Sequence, residues 1–98
     1  MKNIEIKKML QNSTKYSDEY VIKIWMWTDG NSTWAEVICR NDGEWDCDNC
    51  HTFVDYDKEY ENLSKDEIKD MMDKMKKLSK YLEKHFENVE LEKEIQYV

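Results

Sequence analysis

Two short stretches of β-branched and aromatic residues, separated by turn residues, constrain the fold more than any other feature of the chain. Residues 19–28 (EYVIKIWMWT) and residues 34–40 (WAEVICR) have the composition of strands. Residues 29–31 (DGN) between them have the composition of a tight turn. The pattern predicts a β-hairpin, because a turn this short leaves the two flanking strands side by side.

Centring the hairpin on Gly30-Asn31 sets the predicted register, in which Trp27 lies opposite Trp34. One face of the hairpin then collects almost purely apolar side chains: Tyr20, Ile22, Ile24, Met26, Ala35, Val37 and Cys39. The opposite face mixes indoles, charges and aliphatic groups: Val21, Lys23, Trp25, Trp27, Trp34, Glu36, Ile38 and Arg40. We expect the first face to pack in the core, and we call the second the outer face.

The next turn, residues 41–43 (NDG), predicts a third strand over residues 44–48 that resumes near residues 52–56. A two-residue turn would place Asp46 and Asp48 on the core face without partners, which is costly. We therefore expect a three-residue loop that contains a bulge. That register forms two core pairs: Cys39 with Trp45, and Val37 with Cys47. It turns the acids of the strand outward: Glu44, Asp46 and Asp48.

Residues 64–87 carry the pattern of an amphipathic helix. Ser64 and Glu67 have the spacing of a capping box, in which each residue satisfies a backbone amide of the other. Apolar residues recur at helical spacing along one face: Ile68, Met71, Met72, Met75, Leu78, Leu82 and Phe86. We expect this face to pack against the apolar face of the sheet.

The remaining segments have simpler patterns. Residues 1–14 fit either a short helix or an irregular arm, and residues 89–98 alternate as in a half-buried strand. No linker or repeat interrupts the sequence, so we expect residues 1–98 to form a single domain. The predicted class is α+β: an antiparallel sheet of three to four strands, built from residues 18–56 with residues 89–98, and one long helix packed on one face.

The net charge of the chain, −7, lies in one segment. Residues 42–61 contain eight acids and one base, Lys58, whereas the rest of the chain has equal numbers of both. A field of one sign attracts partners of the other sign and affects association more than folding. The acidity and the single arginine, Arg40, argue against direct binding of nucleic acid. We therefore expect a basic protein as the partner.

Other function classes lack their signatures in this sequence. It has no apolar run long enough to span a membrane, and its amino terminus lacks the apolar centre of a signal peptide. Three cysteines without an export signal favour reduced thiols, so we expect a cytoplasmic protein. No nucleophile with a base and no glycine-rich phosphate loop is present, so we expect no enzymatic activity.

Acids of the segment form one row beside the tryptophans of the outer face: Glu44, Asp46 and Asp48. A second row forms if the following segment is extended: Asp55, Asp57, Glu59 and Glu61. Acids two residues apart on a strand are about 6.6 to 6.8 Å apart, close to the spacing of phosphates along a nucleic-acid strand. Aromatic side chains are enriched among the anchors of protein interfaces. The candidate partner-binding residues are Trp25, Trp27, Trp34, Glu44, Asp46, Asp48, Asp55, Asp57, Glu59 and Glu61.

Residues 47–51 (CDNCH) match the Cys-x-x-Cys-His motif and offer an alternative. Zinc could be bound by four side chains: Cys39, Cys47, Cys50 and His51, with His85 as the alternative histidine. Such a site requires residues 48–49 to turn, because Cys47 and Cys50 would point to opposite faces of a regular strand. We favour the interpretation that Cys39 and Cys47 are small core residues. We therefore expect no cofactor, with a zinc-binding or redox module as the alternative.

In size, acidity and order of elements, residues 18–86 resemble the small acidic anti-CRISPR proteins encoded by phages. That resemblance implies a compact sheet-and-helix inhibitor that mimics nucleic acid and blocks a CRISPR effector. It rests on the overall plan and assigns a role to no individual residue.

The sequence thus predicts a binding protein that engages and inhibits a basic partner, such as a CRISPR effector or another nucleic-acid-binding protein. A third interpretation is a homodimer that buries its tryptophan-bearing outer face.

Overall fold

A computed structural model describes the backbone of residues 21–41 and 44–98, and the side chains of residues 21–39 and 50–98. The arm or short helix predicted for residues 1–14 lies outside the described residues. The elements in chain order are β1 (Val21–Thr28), β2 (Thr33–Asn41), β3 (Glu44–Tyr56), a 3₁₀ turn (Tyr60–Asn62), α1 (Lys65–Glu83) and β4 (Val89–Tyr97).

The four strands form one mixed sheet in the order β3-β2-β1-β4, with the single described helix α1, so the class is α+β. β1 and β3 both pair antiparallel with β2, whereas β4 pairs parallel with β1. The prediction of a purely antiparallel sheet is therefore wrong for the last strand. The physical reason is the helical crossover: β3 runs parallel to β1, and α1 carries the chain back along the sheet before β4 begins.

The predicted register of the first hairpin is confirmed. Trp27 pairs with Trp34, and Ile24 pairs with Val37. The apolar face of this hairpin meets the apolar stripe of α1 in one cluster of buried side chains: Ile22, Ile24, Met26, Ala35, Val37, Cys39, Val54, Leu63, Met71, Met75, Leu78 and Leu82. The tight turn determined this register, because opposite residues of a hairpin must share a face.

The predicted register of the second hairpin is wrong. Asn41 pairs with Glu44, so residues 42–43 separate the strands, and Cys39 lies opposite Asp46 instead of Trp45. Two irregularities follow in β3: residues 47–49 and then Phe53 have no partner in the ladder. Each irregularity contains an odd number of residues. Beyond it, every residue of β3 therefore points to the face opposite to the one that strict alternation would give. The prediction assumed strict alternation and could not anticipate this exchange.

α1 begins as its sequence predicts and ends earlier. The hydroxyl of Ser64 accepts a hydrogen bond from the amide of Glu67 at 3.1 Å, and the Glu67 carboxylate accepts from the Ser64 amide at 3.0 Å. The helix ends at Glu83, short of the predicted residue 87. In the described part of the chain, no helix has the length and apolarity to cross a membrane.

Candidate partner-binding surface at one end of the sheet

The carboxyl ends of three strands meet at one end of the sheet. β1, β3 and β4 run in the same direction, so Thr28, Tyr56 and Tyr97 lie at this end together with the turn that joins β1 to β2. Five carboxylates belong to it, and we call them the acidic end: Asp29, Asp55, Asp57, Glu59 and Glu61. Asp29 and Glu59 are half-buried, and the other three are exposed. The topology therefore gathers acids that are separated in the sequence.

A cleft of about 430 Å³ lies within the acidic end. Its walls are formed by Thr28, Asp29, Gly30, Glu59, Glu61, Tyr97 and Val98. The hydroxyl of Tyr97 donates to Oε1 of Glu61 at 3.3 Å, although the Tyr97 side chain is largely exposed, at 62%. The cleft thus offers three carboxylates beside an exposed aromatic ring, which suits an ammonium or guanidinium group.

Asp29 is a member of the acidic end that sequence reasoning missed. Its Oδ1 accepts hydrogen bonds from the amides of Asn31 and Ser32, both at 2.8 Å, and from the Ser32 hydroxyl at 3.3 Å. The amide of Asn31, followed by that of Ser32, lowers the pKa of Asp29, so this carboxylate stays charged. The turn itself is visible in the sequence, but its proximity to Glu59 and Glu61 depends on the strand order.

A ring of hydrogen bonds fixes the segment after β3 to the first hairpin. The amide of Tyr60 donates to Thr28 Oγ1 at 3.0 Å, and the Thr33 hydroxyl donates to the Lys58 carbonyl at 2.8 Å. The two hydroxyl oxygens are 3.0 Å apart. Thr33 gives its one proton to Lys58, and Thr28 can give its own to Thr33 or to the Ser32 carbonyl, which is 3.1 Å away. Both threonines are buried, so the backbone that carries Glu59 is held in place.

The base of the acidic segment is paired outside that segment. Lys58 Nζ lies 3.1 Å from Oε1 and 3.3 Å from Oε2 of Glu67, in the first turn of α1. The Ser64 amide, followed by Lys58, lowers the pKa of Glu67. Among the described residues, none of the three ion pairs involves a carboxylate of the acidic end. Lys58 therefore leaves the charge of this end uncompensated.

The two predicted rows of acids are not brought together. Glu44, Asp46 and Asp48 belong to the first part of β3, and Asp55 lies near its end. The side chains of those first three residues lie outside the described part of the structure. At about 3.3 Å per residue, the backbone from Asp48 to Asp55 spans up to about 23 Å. The acidic segment therefore extends along the sheet. β3 ends at Tyr56 and a 3₁₀ turn follows at Tyr60–Asn62, so the second set of acids does not form the predicted extended row and belongs to the acidic end instead.

The three predicted tryptophans lie on the outer face, but they are half-buried and not exposed. Glu36 organises this layer. Its carboxylate accepts from Trp25 Nε1 at 2.9 Å, from Trp34 Nε1 at 3.3 Å and from Cys50 Sγ at 2.9 Å. Trp25 and Trp34 thus use their N–H groups inside the protein. Trp34 also pairs with Asp55 at the boundary of the acidic end.

The outer layer continues to the opposite edge of the sheet. Lys23 Nζ lies 4.9 Å from the ring centroid of Trp25 and 3.7 Å from Oε2 of Glu92 on β4. Trp27 packs edge-on against Trp25, with centroids 5.1 Å apart. Within the described residues, the buried Nε1 of Trp27 meets no acceptor. The layer is packed across the sheet, and a homodimer through this face stays a prediction.

The alternative zinc ligands are dispersed where their side chains are described. Cys39 is fully buried in the core, whereas Cys50 contacts Glu36 on the outer face, so the sheet lies between them. His51 pairs with the core residue Val37, and the side chain of Cys47 lies outside the described part. Among the described residues, no three or more His, Cys, Asp or Glu side chains are grouped so that they could hold a metal ion.

Comparisons with known proteins add little. No protein-family model matches the chain, and no curated protein matches it. One solved structure that it resembles comes from a structural study of the Aquifex aeolicus PPX-GPPA enzyme, with 15% identity and a TM-score of 0.31. The match covers 74% of this chain but 26% of that chain. At this TM-score, the likeness supports no conclusion about fold or function.

Proposed function

We propose that this protein is a non-enzymatic binding protein whose acidic end engages a basic protein and inhibits it. The partner class is a nucleic-acid-binding protein, such as a CRISPR effector, whose basic groove the acidic end occupies in place of nucleic acid. The observation that carries the proposal is the pairing of Lys58 with Glu67. Because Lys58, the base of the acidic segment, pairs with Glu67, it does not pair with Asp55, Asp57 or Glu61.

Preorganisation supports the same function. The hydrogen-bond ring through Thr28 and Thr33 holds the backbone of residues 58–60, and backbone amides hold Asp29. Carboxylates that are fixed before binding lose less conformational entropy when a partner docks. An uncompensated acidic field also steers a basic partner and raises the association rate.

The test is capture from a lysate of host cells on the immobilised chain, with identification of the bound proteins. Three charge reversals, Asp55→Lys, Asp57→Lys and Glu61→Lys, define the test variant. The matched control reverses three exposed acids elsewhere: Glu87→Lys, Glu90→Lys and Glu94→Lys. Both variants change the net charge equally, so a difference between them reports the acidic end itself.

The expected result is enrichment of nucleic-acid-binding proteins on the wild type and the control, and their loss from the test variant. Excess duplex DNA should release them, because it competes for the same groove. Equal capture by all three proteins, or capture that DNA does not affect, would contradict the proposal.

A further inference from the structure

The exposed side of α1 changes sign along its length. Residues 65–73 carry two lysines and four acids, whereas residues 74–84 carry five lysines and Glu83. Four exposed side chains of the second half form what we call the lysine face: Lys76, Lys77, Lys80 and Lys84. They lie opposite the buried Met75, Leu78 and Leu82, so they point away from the sheet.

Within the described part of the chain, no lysine of this face forms an ion pair, although the charge of Lys77 helps to lower the pKa of Asp70. The three ion pairs there use other lysines: Lys23, Lys58 and Lys74. The helix dipole favours positive charge within the last turn, where Lys80 and Lys84 lie. It does not account for Lys76 and Lys77, which lie farther from the end. The helix dipole therefore accounts for two of the four lysines of the face.

The lysine face and the acidic end lie toward opposite ends of the molecule. α1 starts beside the acidic end and ends where β1 begins, since the Ile22 amide donates to the Asn88 carbonyl at 2.9 Å. At about 1.5 Å per residue, Lys80 lies about 22 Å along the helix from Lys65. The Debye length at physiological ionic strength is about 8 Å, so the two fields act separately.

We propose that the lysine face is the docking site for the acidic end of a second copy of this chain. In an antiparallel pair, each acidic end meets the lysine face of the other copy, so two identical contacts form and the dimer closes. Charge complementarity selects this occupant. A nucleic acid is the less suitable occupant, because the chain has a single arginine to supply bidentate contacts to phosphate.

This dimer goes beyond the proposed function but shares its acidic end. A basic partner and a second copy therefore compete for the same carboxylates. Free protein masks its acidic end in the dimer, and a partner with a stronger basic groove displaces the second copy.

The experiment is sedimentation velocity at protein concentrations up to on the order of 100 µM, in about 50 mM and about 300 mM salt. The wild type should approach twice the 12.0 kDa of the chain in low salt, and its apparent Kd should rise at least about fivefold in high salt. A monomer under every condition would overturn the proposal.

Charge exchange identifies the contact. The lysine-face variant is Lys76→Glu, Lys80→Glu and Lys84→Glu, and the acidic-end variant is Asp55→Lys, Asp57→Lys and Glu61→Lys. Each variant alone places like charges at both contacts and should be monomeric. An equimolar mixture places opposite charges at both contacts and should restore the dimer. Circular dichroism of each variant verifies that the fold is kept.

A matched control separates local contact from overall repulsion. Lys65→Glu, Lys69→Glu and Lys93→Glu give the same net charge as the lysine-face variant, and this control should still dimerise. The proposal is overturned if the lysine-face variant dimerises, if the mixture stays monomeric, or if a duplex DNA probe binds the lysine face while the chain stays monomeric.

The same lysine-face variant separates this inference from the proposed function. It should capture the basic partner as well as or better than the wild type, because the second copy no longer competes. Capture of the partner by the acidic-end variant on its own tests the proposed function. Formation of a dimer in the equimolar mixture of the two variants tests the dimer.

Discussion

The hydroxyl of Thr33 donates a hydrogen bond to the carbonyl of Lys58 at 2.8 Å, joining the first residue of β2 to the segment after β3. Thr33 is fully buried, and its hydroxyl oxygen also lies 3.0 Å from that of Thr28. The position of the acidic end therefore depends on an uncharged group in the interior.

Replacing Thr33→Val tests this dependence. Valine keeps the shape but removes the hydroxyl, which leaves the Lys58 carbonyl without its donor at a cost of about 1 to 3 kcal/mol. The Thr28 hydroxyl keeps the Ser32 carbonyl as an acceptor at 3.1 Å. We expect a lower free energy of unfolding in urea and faster hydrogen exchange of the Tyr60 amide. Thr52→Val, at an exposed position of β3, is the matched control and should change neither. Identical exchange in both variants would refute the role of the ring.

The methionines of α1 differ in burial, and their truncation should differ accordingly. Met75 is fully buried, whereas Met72 is half-buried. Met75→Ala should cost about 2 to 5 kcal/mol of unfolding free energy, because it removes apolar contacts and leaves a cavity. Met72→Ala should cost less. Urea unfolding of both variants measures the difference, and equal losses would contradict the placement of these side chains.

Removing the base of the acidic segment should strengthen the proposed binding. Lys58→Gln makes the acidic end more negative without a major change of fold, because Glu67 keeps its bond to the Ser64 amide. We expect the affinity for the basic partner to rise by roughly two- to fivefold, the effect of one exposed charge. Surface plasmon resonance can measure it. Lys93→Gln, at an exposed position of β4, is the control, and an equal gain there would point to net charge alone.

Tyr56 and Asp70 link β3 to α1, and each shifts the pKa of the other. The Tyr56 hydroxyl donates to Asp70 Oδ2 at 2.8 Å. Burial, followed by the bond to Asp70, raises the pKa of Tyr56 to about 12 from 10.0. A hydrogen bond from Lys74, followed by the one from Tyr56, lowers the pKa of Asp70 from 3.8.

The signs of these shifts predict two windows of pH dependence. The raised pKa of Tyr56 stabilises the folded state below pH 10.0, and that contribution is lost as the pH rises through about 12. The lowered pKa of Asp70 contributes above pH 3.8 and is lost as the pH falls through its folded value. Asp70→Asn should lower the pKa of Tyr56, measured by ultraviolet titration of the phenol. Asp73→Asn, at an exposed position of the same helix, should leave it unchanged.

Local patterns in the sequence predict local structure well. The register of Trp27 with Trp34 follows from a short turn between two strands, and the capping box of Ser64 and Glu67 follows from their spacing. Both features depend on neighbours within a few residues. They are therefore insensitive to how the rest of the sheet is assembled.

Features that depend on distant elements escaped prediction. The direction of β4 is set by the path of α1 across the sheet, and the register of β3 is set by unpaired residues that break its alternation. The membership of Asp29 in the acidic end needs the order of all four strands. The half-burial of Trp25 and Trp34 needs the position of Glu36, which binds both indoles.

The parallel pairing of β1 with β4 has a consequence for folding. β1 lies inside the sheet, but Val89, the partner of Ile22 on β4, is synthesised only after all of the intervening chain. Such distant pairing slows folding, because a long loop must close before the contacts can form. Until β4 arrives, one edge of β1 is open to other chains, and it carries apolar side chains such as Ile24 and Met26. A nascent chain that stalls before residue 89 should therefore need a chaperone to escape aggregation.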